Sequence, residues 1–237
     1  MCRLSIVIPA LDDAAALSRA LPLLQPLRRA GHEVVLVDGG SGDGTPEIAR
    51  GLVDAVLSAP RGRAHQMNAG AAIAGGDVLL FLHADTRLPE DVAERVCAAM
   101  RSPQVVWGRF DVRLSGRQWW ARMIEVAMNL RSRVTGIATG DQAIFVRRGV
   151  FSRLGGFPEL PLMEDIALSR RLKRVAWPAC LRARVTTSSR RWERQGWFKT
   201  VLLMWRLRLA FALGVAPARL VHAYYPQQQH ESGRRSC

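Results

Sequence analysis

Lysine is nearly missing from this chain, with 2 residues against 32 arginines. Its positive charge is therefore almost wholly guanidinium, and genomic base composition is the plain explanation of that bias. Cysteine is sparse as well. Cys2, Cys97, Cys180 and Cys237 are widely scattered and no pair has CxxC spacing. That pattern offers no sequence-local zinc site or redox motif and fits a reducing, cytoplasmic compartment. No uninterrupted apolar run reaches the ~18–20 residues of a membrane span. The nearest, 197–215, is broken by Lys199, Arg206 and Arg208. The strand-like Leu4-Ser-Ile-Val-Ile-Pro9 starts too early to leave room for a signal peptide. There is no internal repeat, and only the polar tail 227–237 reads as disordered.

What remains is an ordinary globular composition with an unusual charge. The chain has 237 residues, 49% hydrophobic and 23% charged, and a net charge of +14. Residues 1–100 hold 9 arginines against 12 acids, a net of −3; the rest holds 25 basic residues against 8 acids, a net of +17. A basic second half suggests an anionic partner, such as nucleic acid, a membrane surface or a phosphorylated substrate. A solvated helical face explains it equally well.

Short apolar runs alternate with helical patterns through the first hundred residues. Strands are predicted at 4–8, 33–38, 55–58 and 78–82, and helices at 14–30, from Thr45, at 64–74 and from Pro89. Thr45 followed by Pro46 reads as a capping hydroxyl before a proline at the first helical position. Beyond residue 100, strands are predicted at 105–114 and 143–146, and helices at 119–134, 164–175 and 197–213. Alternation of this kind implies an α/β fold, a mostly parallel sheet flanked by helices. One domain is expected over 1–195, with an amphipathic, basic helical extension over 196–226.

Four segments carry chemistry. Asp77-Val-Leu-Leu-Phe-Leu-His83-Ala84-Asp85 is a buried strand ending in a histidine and a carboxylate, where open α/β sheets place ligands. His83 and Asp85 share a face of an extended segment and suit a divalent metal; a local cap is the plainer alternative. Asp38-Gly-Gly40-Ser41-Gly-Asp43-Gly-Thr45 is a glycine-dense turn after a strand. There Asp38 is able to accept hydrogen bonds from a nucleobase or ribose, or the segment is simply a tight turn. Arg63, Gln66 and Gly70 recur at helical spacing, with Asn68 between, and an arginine at a helix start suits a phosphate. Asp141-Gln142 and Glu164-Asp165 follow, the second pair opening a helix after a loop rich in proline and glycine. One of that pair is a candidate general base; a complement to the helix dipole is the alternative.

The order and spacing of these segments resemble the family 2 glycosyltransferases, inverting enzymes that use nucleotide-diphosphate sugars. Ser5-Ile-Val-Ile-Pro9-Ala-Leu-Asp12-Asp13 resembles the opening strand, Asp38 to Thr45 the acidic turn, and Arg63–Gly70 the helix facing the nucleotide. His83-Ala84-Asp85 sits where the family has a metal-binding Asp-x-Asp. Arg191-Trp192 resembles the Arg-Trp element of processive members. A narrower resemblance, in Leu82-His-Ala-Asp-Thr86 and Gly62-Arg-Ala-His-Gln-Met-Asn68, is to a subgroup linked to arsenosugar biosynthesis. The chain departs from the family at Asp12-Asp13 in place of Asn-Glu, at Gly39, and at His83 in place of an acid.

The resemblance implies the GT-A, Rossmann-like fold and transfer of a sugar, with inversion, to an acceptor hydroxyl. It implies Asp165 as base with Glu164 second, and Asp85, with His83, as ligands of Mn²⁺ or Mg²⁺. Donor contacts would come from Pro9, Asp12, Asp13, Asp38, Gly40, Ser41, Asp43, Arg63, Gln66, Asn68, His83, Ala84, Asp141, Gln142, Arg191 and Trp192. The acceptor is open, a small molecule or a lipid-linked one. The helix at 197–213 is a candidate for an anionic membrane surface, with Trp197, Phe198, Trp205 and Phe211 toward lipid, which would make a cytoplasmic enzyme peripherally membrane-associated. A nucleotide-sugar pyrophosphorylase is the alternative enzyme, but Pro9–Ala16 is acidic and alanine-rich where it needs a basic glycine-rich loop. A basic nucleic-acid binder would explain the charge and leave the acids at successive strand ends without a purpose.

Overall fold

The computed structural model describes residues 2–224. Seven strands form one sheet: β1 (Leu4–Ala10), β2 (Glu33–Asp38), β3 (Ala55–Ser58), β4 (Val78–Phe81), β5 (Trp107–Leu114), β6 (Phe145–Arg147) and β7 (Ala179–Thr187). Their order is β3-β2-β1-β4-β6-β5-β7. The pairs β1/β2, β1/β4, β2/β3 and β5/β7 are parallel, while β6 runs antiparallel to both its neighbours. The sheet is thus mixed, with a parallel majority.

The helices are α1 (Ala14–Arg29), α2 (Thr45–Ala49), α3 (Arg63–Ile73), α4 (Val92–Met100), α5 (Trp119–Thr135), α6 (Arg148–Arg153), α7 (Glu164–Lys173), α8 (Arg190–Gln195), α9 (Trp197–Ala212) and α10 (Pro217–Tyr224). Every side chain of β1 is buried, because both faces of the strand are covered. One face packs with α1, α4 and α5 through Leu17, Leu21, Val96 and Ile124; the other packs with α3, α6 and α7 through Met67, Phe151 and Leu168. Glycine 70 lets α3 press onto the sheet: a Cβ there would sit 2.5 Å from Val7 Cγ1 and 2.9 Å from Val37 Cγ2.

Two starts differ from the sequence prediction. Gly44, in the left-handed region, caps α2 and Thr45 is its first residue. Helix α4 begins at Val92, after an Asp91 cap, and leaves Pro89 in the preceding loop. The arginine-rich strand β7 was masked by its composition, since alternate residues face solvent. Cys2 and Cys97, 95 residues apart, meet as a disulfide. Spacing alone concealed that pairing, and it removes the cysteine argument for a reducing compartment.

Helix α5 is bolted to the end of β5 by polar groups. Asn129 accepts from Val112 N–H at 2.8 Å and donates to Val112 O at 3.0 Å. Glu125 accepts from Leu114 N–H. Asp111 joins the fully buried Arg109 to Arg133 of the helix. Helices α9 and α10 cluster on the start of α7 through Leu207 and Leu220 against Leu162, Met163 and Ile166. Among the described residues no helix is long and apolar enough to cross a membrane. The predicted tail 227–237 lies outside the described residues.

Candidate active site

A cleft of about 240 Å³ opens at the C-terminal edge of β1 and β4. Pro9, Asp13, Arg63, His83, Ala84, Asp85, Asp141, Glu164, Asp165 and Trp192 all line it. A second hollow of about 330 Å³ adjoins it, sharing Ala84, Asp85, Thr187 and Ser188. The exposed Asp85 therefore stands on the ridge between the two.

The acidic turn serves mainly its own architecture. Asp38 is buried at the end of β2. Its carboxylate accepts from the N–H groups of Gly40 at 2.9 Å and Ser41 at 3.0 Å, and from the Ser41 hydroxyl. It is not among the residues lining the cleft. Gly40, at φ +90°, supplies the left-handed backbone the turn requires. Asp12 accepts from Gly42 N–H at 2.8 Å, and its own N–H donates to Ser41. Asp43 accepts from Ala14 N–H at 2.9 Å and from Thr45. The hydroxyl of Thr45, first among the causes, holds the exposed Asp43 carboxyl below its ordinary value. The loops after β1 and β2 are thus laced together, and Asp13 is presented from the lacing into the cleft.

Two predicted ligand residues are structural clamps. Gln66 is buried, and its Nε2 donates to Ala10 O at 2.7 Å and Val37 O at 2.9 Å, tying the ends of β1 and β2. Asn68 makes a two-way amide pair with Phe157, both distances 2.9 Å. Neither lines the cleft. Helical spacing predicts Arg63 and Gln66 on one face of α3, but Gln66 is buried against the sheet while Arg63 is exposed in the cleft.

On the far wall, a 3₁₀ turn at Gly140–Gln142 meets the start of α7. His83 Nδ1 lies 3.4 Å from Asp141 Oδ1. Gly140 has no room for a side chain, because any Cβ would collide with the His83 ring. Its N–H donates to Asp165 Oδ2 at 2.9 Å, and Ile166 N–H donates to the other oxygen of Asp165 at 2.7 Å. Gln142 is buried away from the cleft, accepting from Thr139 N–H at 3.2 Å. Met163, at φ +68°, takes a left-handed conformation that turns the chain into α7 and aims Glu164 and Asp165 together.

The electrostatics follow from crowding. Burial, then the charge of Asp165, raises the Glu164 carboxyl above its ordinary value, although Arg63 and His83 pull the other way. Burial also raises Asp13, helped by Asp85 and Asp43 and opposed by Arg63. Asp141 goes down: burial would raise it, but the hydrogen bond and charge of His83, with Arg63 and Arg208, outweigh that. Arg63 is the cation common to all three carboxyls. No group of three His, Cys, Asp or Glu side chains converges on one point among the described residues.

The sequence reading overlooked the fourth wall. Thr200, Met204 and Arg208 of α9, with Tyr224 of α10, close the cleft on the side of α7. Their 4-residue recurrence on α9 was the available signal. The side chain of Arg191 lies outside what the structure describes, and its neighbour Trp192 is half-buried in the cleft.

Residues 5–154 match the family described as Glycosyl transferase family 2. The chain belongs to that family. It is 34% identical over 164 residues to a PGL/p-HBAD biosynthesis glycosyltransferase of Mycobacterium bovis, covering 65% of this chain and 62% of that protein. It is 26% identical over 236 residues to the beta-monoglucosyldiacylglycerol synthase of Synechocystis, covering 85% of this chain and 49% of that one. The chain thus spans less than two thirds of the length of these relatives. In fold it is similar to TarS 1-349 of S. aureus, with TM-score 0.65 at 19% identity over 79% of this chain and 60% of that one. It is similar, too, to the mannosyltransferase PcManGT of Pyrobaculum calidifontis, solved with GDP-Man and Mn2+, with TM-score 0.64 at 23% identity over 94% and 69%. Both likenesses support the GT-A fold expected from the sequence.

Proposed function

We propose that this family member transfers a sugar, with inversion, from a nucleotide-diphosphate sugar to an acceptor hydroxyl. The observation that carries the reading is the convergence of Asp13, Asp85, Asp141, Glu164 and Asp165 around Arg63 in one cleft at the sheet's C-terminal edge. Pro9, Asp13, Arg63, Ala84 and Trp192 would bind the donor there. The interlocked loops carrying Asp12, Asp38, Gly40, Ser41 and Asp43 would set the shape of its nucleotide end, with Gln66 and Asn68 holding the walls.

The donor set fits a divalent cation. Five carboxylates share the cleft with Arg63 and Arg208, and burial first, then neighbouring acids, raises Asp13 and Glu164. With no three such protein donors convergent among the described residues, the site suits a cation held by one or two carboxylates and completed by phosphate oxygens. Asp85 would hold it, with His83 steadied by Asp141. Mn²⁺ or Mg²⁺ bound there would neutralise charge on the departing diphosphate.

Asp165 is the proposed base. Two backbone N–H groups fix its orientation and leave lone pairs for an acceptor proton. Buried Glu164 beside it raises the local demand for a proton and is the second choice. Measurement of donor turnover tests this directly. Asp165→Asn should cut kcat about 10²–10⁴-fold with little change in donor affinity. Near wild-type turnover in a folded Asp165→Asn protein would remove the assignment. The His83-Ala84-Asp85 form supports membership of the arsenosugar-linked subgroup, and its role there is part of the same proposal.

An anionic membrane surface is the proposed setting. On α9 and its C-cap, Phe198, Leu202, Trp205, Leu209 and Leu213 are all more than half exposed, and on α5 so are Trp119, Met123, Val126, Leu130 and Val134. Each set repeats at intervals of 4, 3, 4 and 4, an arc of about 80° at 100° per residue. Neither α9 nor α10 contains an acid, while the exposed Lys199, Arg206 and Arg219 lie on them. An apolar stripe flanked by cations suits anionic headgroups. Trp197 and Phe211 do not join the stripe, contrary to the sequence prediction. Trp197 lies parallel to Trp120 and edge-to-face with Trp119, and Phe211 lies under Arg170.

A further inference from the structure

Arg131 of α5 and Arg208 of α9 form an unusual pair. The two helices run side by side in the same direction. Trp119 and Trp120 meet Trp197 near their starts, and Arg131 and Arg208 feel each other's charge eleven or twelve residues on. Among the described residues neither arginine has a carboxylate within ion-pair distance. Nε and Nη2 of Arg131 are buried with no hydrogen-bond partner, as is Nε of Arg208. Among the described residues the one hydrogen bond of the Arg131 side chain is a long one, 3.4 Å from Nη1 to Ile137 O. Burial, then the charge of Arg208, pushes the Arg131 guanidinium down to about 10.

Two adjacent guanidinium groups with buried, unmatched N–H donors are costly, and an anion between them would offset that cost. Arg208 lines the cleft on the side of Asp141 and Asp165. That is the side of the proposed base, away from the β1 and β2 loops that would take the nucleotide. A phosphomonoester near −2 matches two positive charges better than a carboxylate at −1.

We propose that Arg208, backed by Arg131, is an anion subsite on the acceptor side of the cleft, and that the acceptor is a hydroxyl compound bearing a phosphate. Arg208 makes the contact; Arg131 is a positioning residue that adds to its field. This rests on the glycosyltransferase reading above.

Inorganic phosphate is the first probe, titrated by calorimetry into the full chain. Arg208→Gln and Arg131→Gln should each weaken phosphate binding tenfold or more, while UDP and GDP binding with Mn²⁺ changes less than twofold. Arg131→Met should also melt no lower than the wild type without phosphate, because it removes a like charge; a purely structural arginine would lower the melting temperature. Phosphate affinity untouched by Arg208→Gln, or phosphate displaced by UDP, overturns the subsite. Loss of all nucleotide binding with the phosphate site intact would instead defeat the functional reading alone. Glycerol 3-phosphate and phosphatidic acid vesicles then separate the sources. Arg208-dependent binding of the first assigns a soluble acceptor, of the second a lipid headgroup, and binding of neither overturns the proposal.

Discussion

Glu164 and Asp13 show how single carboxylates are strained for a task. For each, the folded-state pKa is raised above its ordinary value. The unfolded chain therefore releases these protons first as pH rises. Across the window between the ordinary and the raised value, stability falls, and it stays reduced above. Glu164→Gln and Asp13→Asn should each raise the melting temperature at neutral pH, with the gain disappearing below about pH 4. A thermal-melt series between pH 3 and 8 checks this. The same substitutions should lower sugar transfer, the usual opposition of stability and activity at a site.

His83 belongs at this scale too. The sequence places it at the end of a buried strand, two residues before Asp85, but gives no hint of its neighbour. Asp141 reaches it from 58 residues away, through a turn built on Gly140. Gly140→Ala should displace the imidazole and disturb the Asp165 hydrogen bond together, lowering kcat more than donor affinity. Steady-state kinetics with varied donor will read that split.

Elements explain which parts were legible beforehand. Strands β1 to β4 and helices α1, α3, α5, α7 and α9 announce themselves by period and punctuation, within a few residues. Strand β7 does not, because its exposed alternate positions are arginines. Gln66 and Asn68 look like ligand residues on a helical wheel, yet a wheel has no sheet in it; both amides are consumed by backbone partners. Asp38 is misleading for the same reason, since only the folded turn shows its lone pairs already engaged.

The bolting of α5 to β5 is invisible in sequence and strong in structure. Asp111 sits between Arg109, which is wholly buried, and Arg133. Asp111→Ala would strand that buried guanidinium and should cost about 3–5 kcal/mol. Gly70→Ala would overpack α3 against Val7 and Val37 and should cost about 1–3 kcal/mol. Urea unfolding of both variants checks these magnitudes.

At the scale of the whole molecule, charge and apolar stripe face the same question. The net charge of +14 suggested an anionic partner without saying where it would sit. In the proposed reading that partner would meet α5 and α9, whose outer faces carry the two stripes and whose inner sides hold Arg131 and Arg208. Vesicles of anionic lipid should bind the protein at low salt, and Trp205→Ala with Leu209→Ala should weaken that binding about tenfold or more. Equal binding to neutral vesicles would place the attraction in the stripe alone, with no part for the arginines.

The reversed strand β6 has a consequence for the order of assembly. Strands β1, β2 and β4 deliver Pro9, the acidic turn and Asp85 where they exit the sheet. Strand β6 runs the other way, so Gly140 and Asp141 arrive on the same rim just before it enters. During synthesis β1 can pair with β2 and β4 early, but β4 then remains an open edge until residue 145 appears. The first wall of the cleft is made of near neighbours in time, and the opposing walls, from the 3₁₀ turn to α10, are synthesised after it. The site is therefore completed only after the parallel half of the sheet, and a ribosome stalled before β6 would hold a strand edge open to wrong partners rather than half an enzyme.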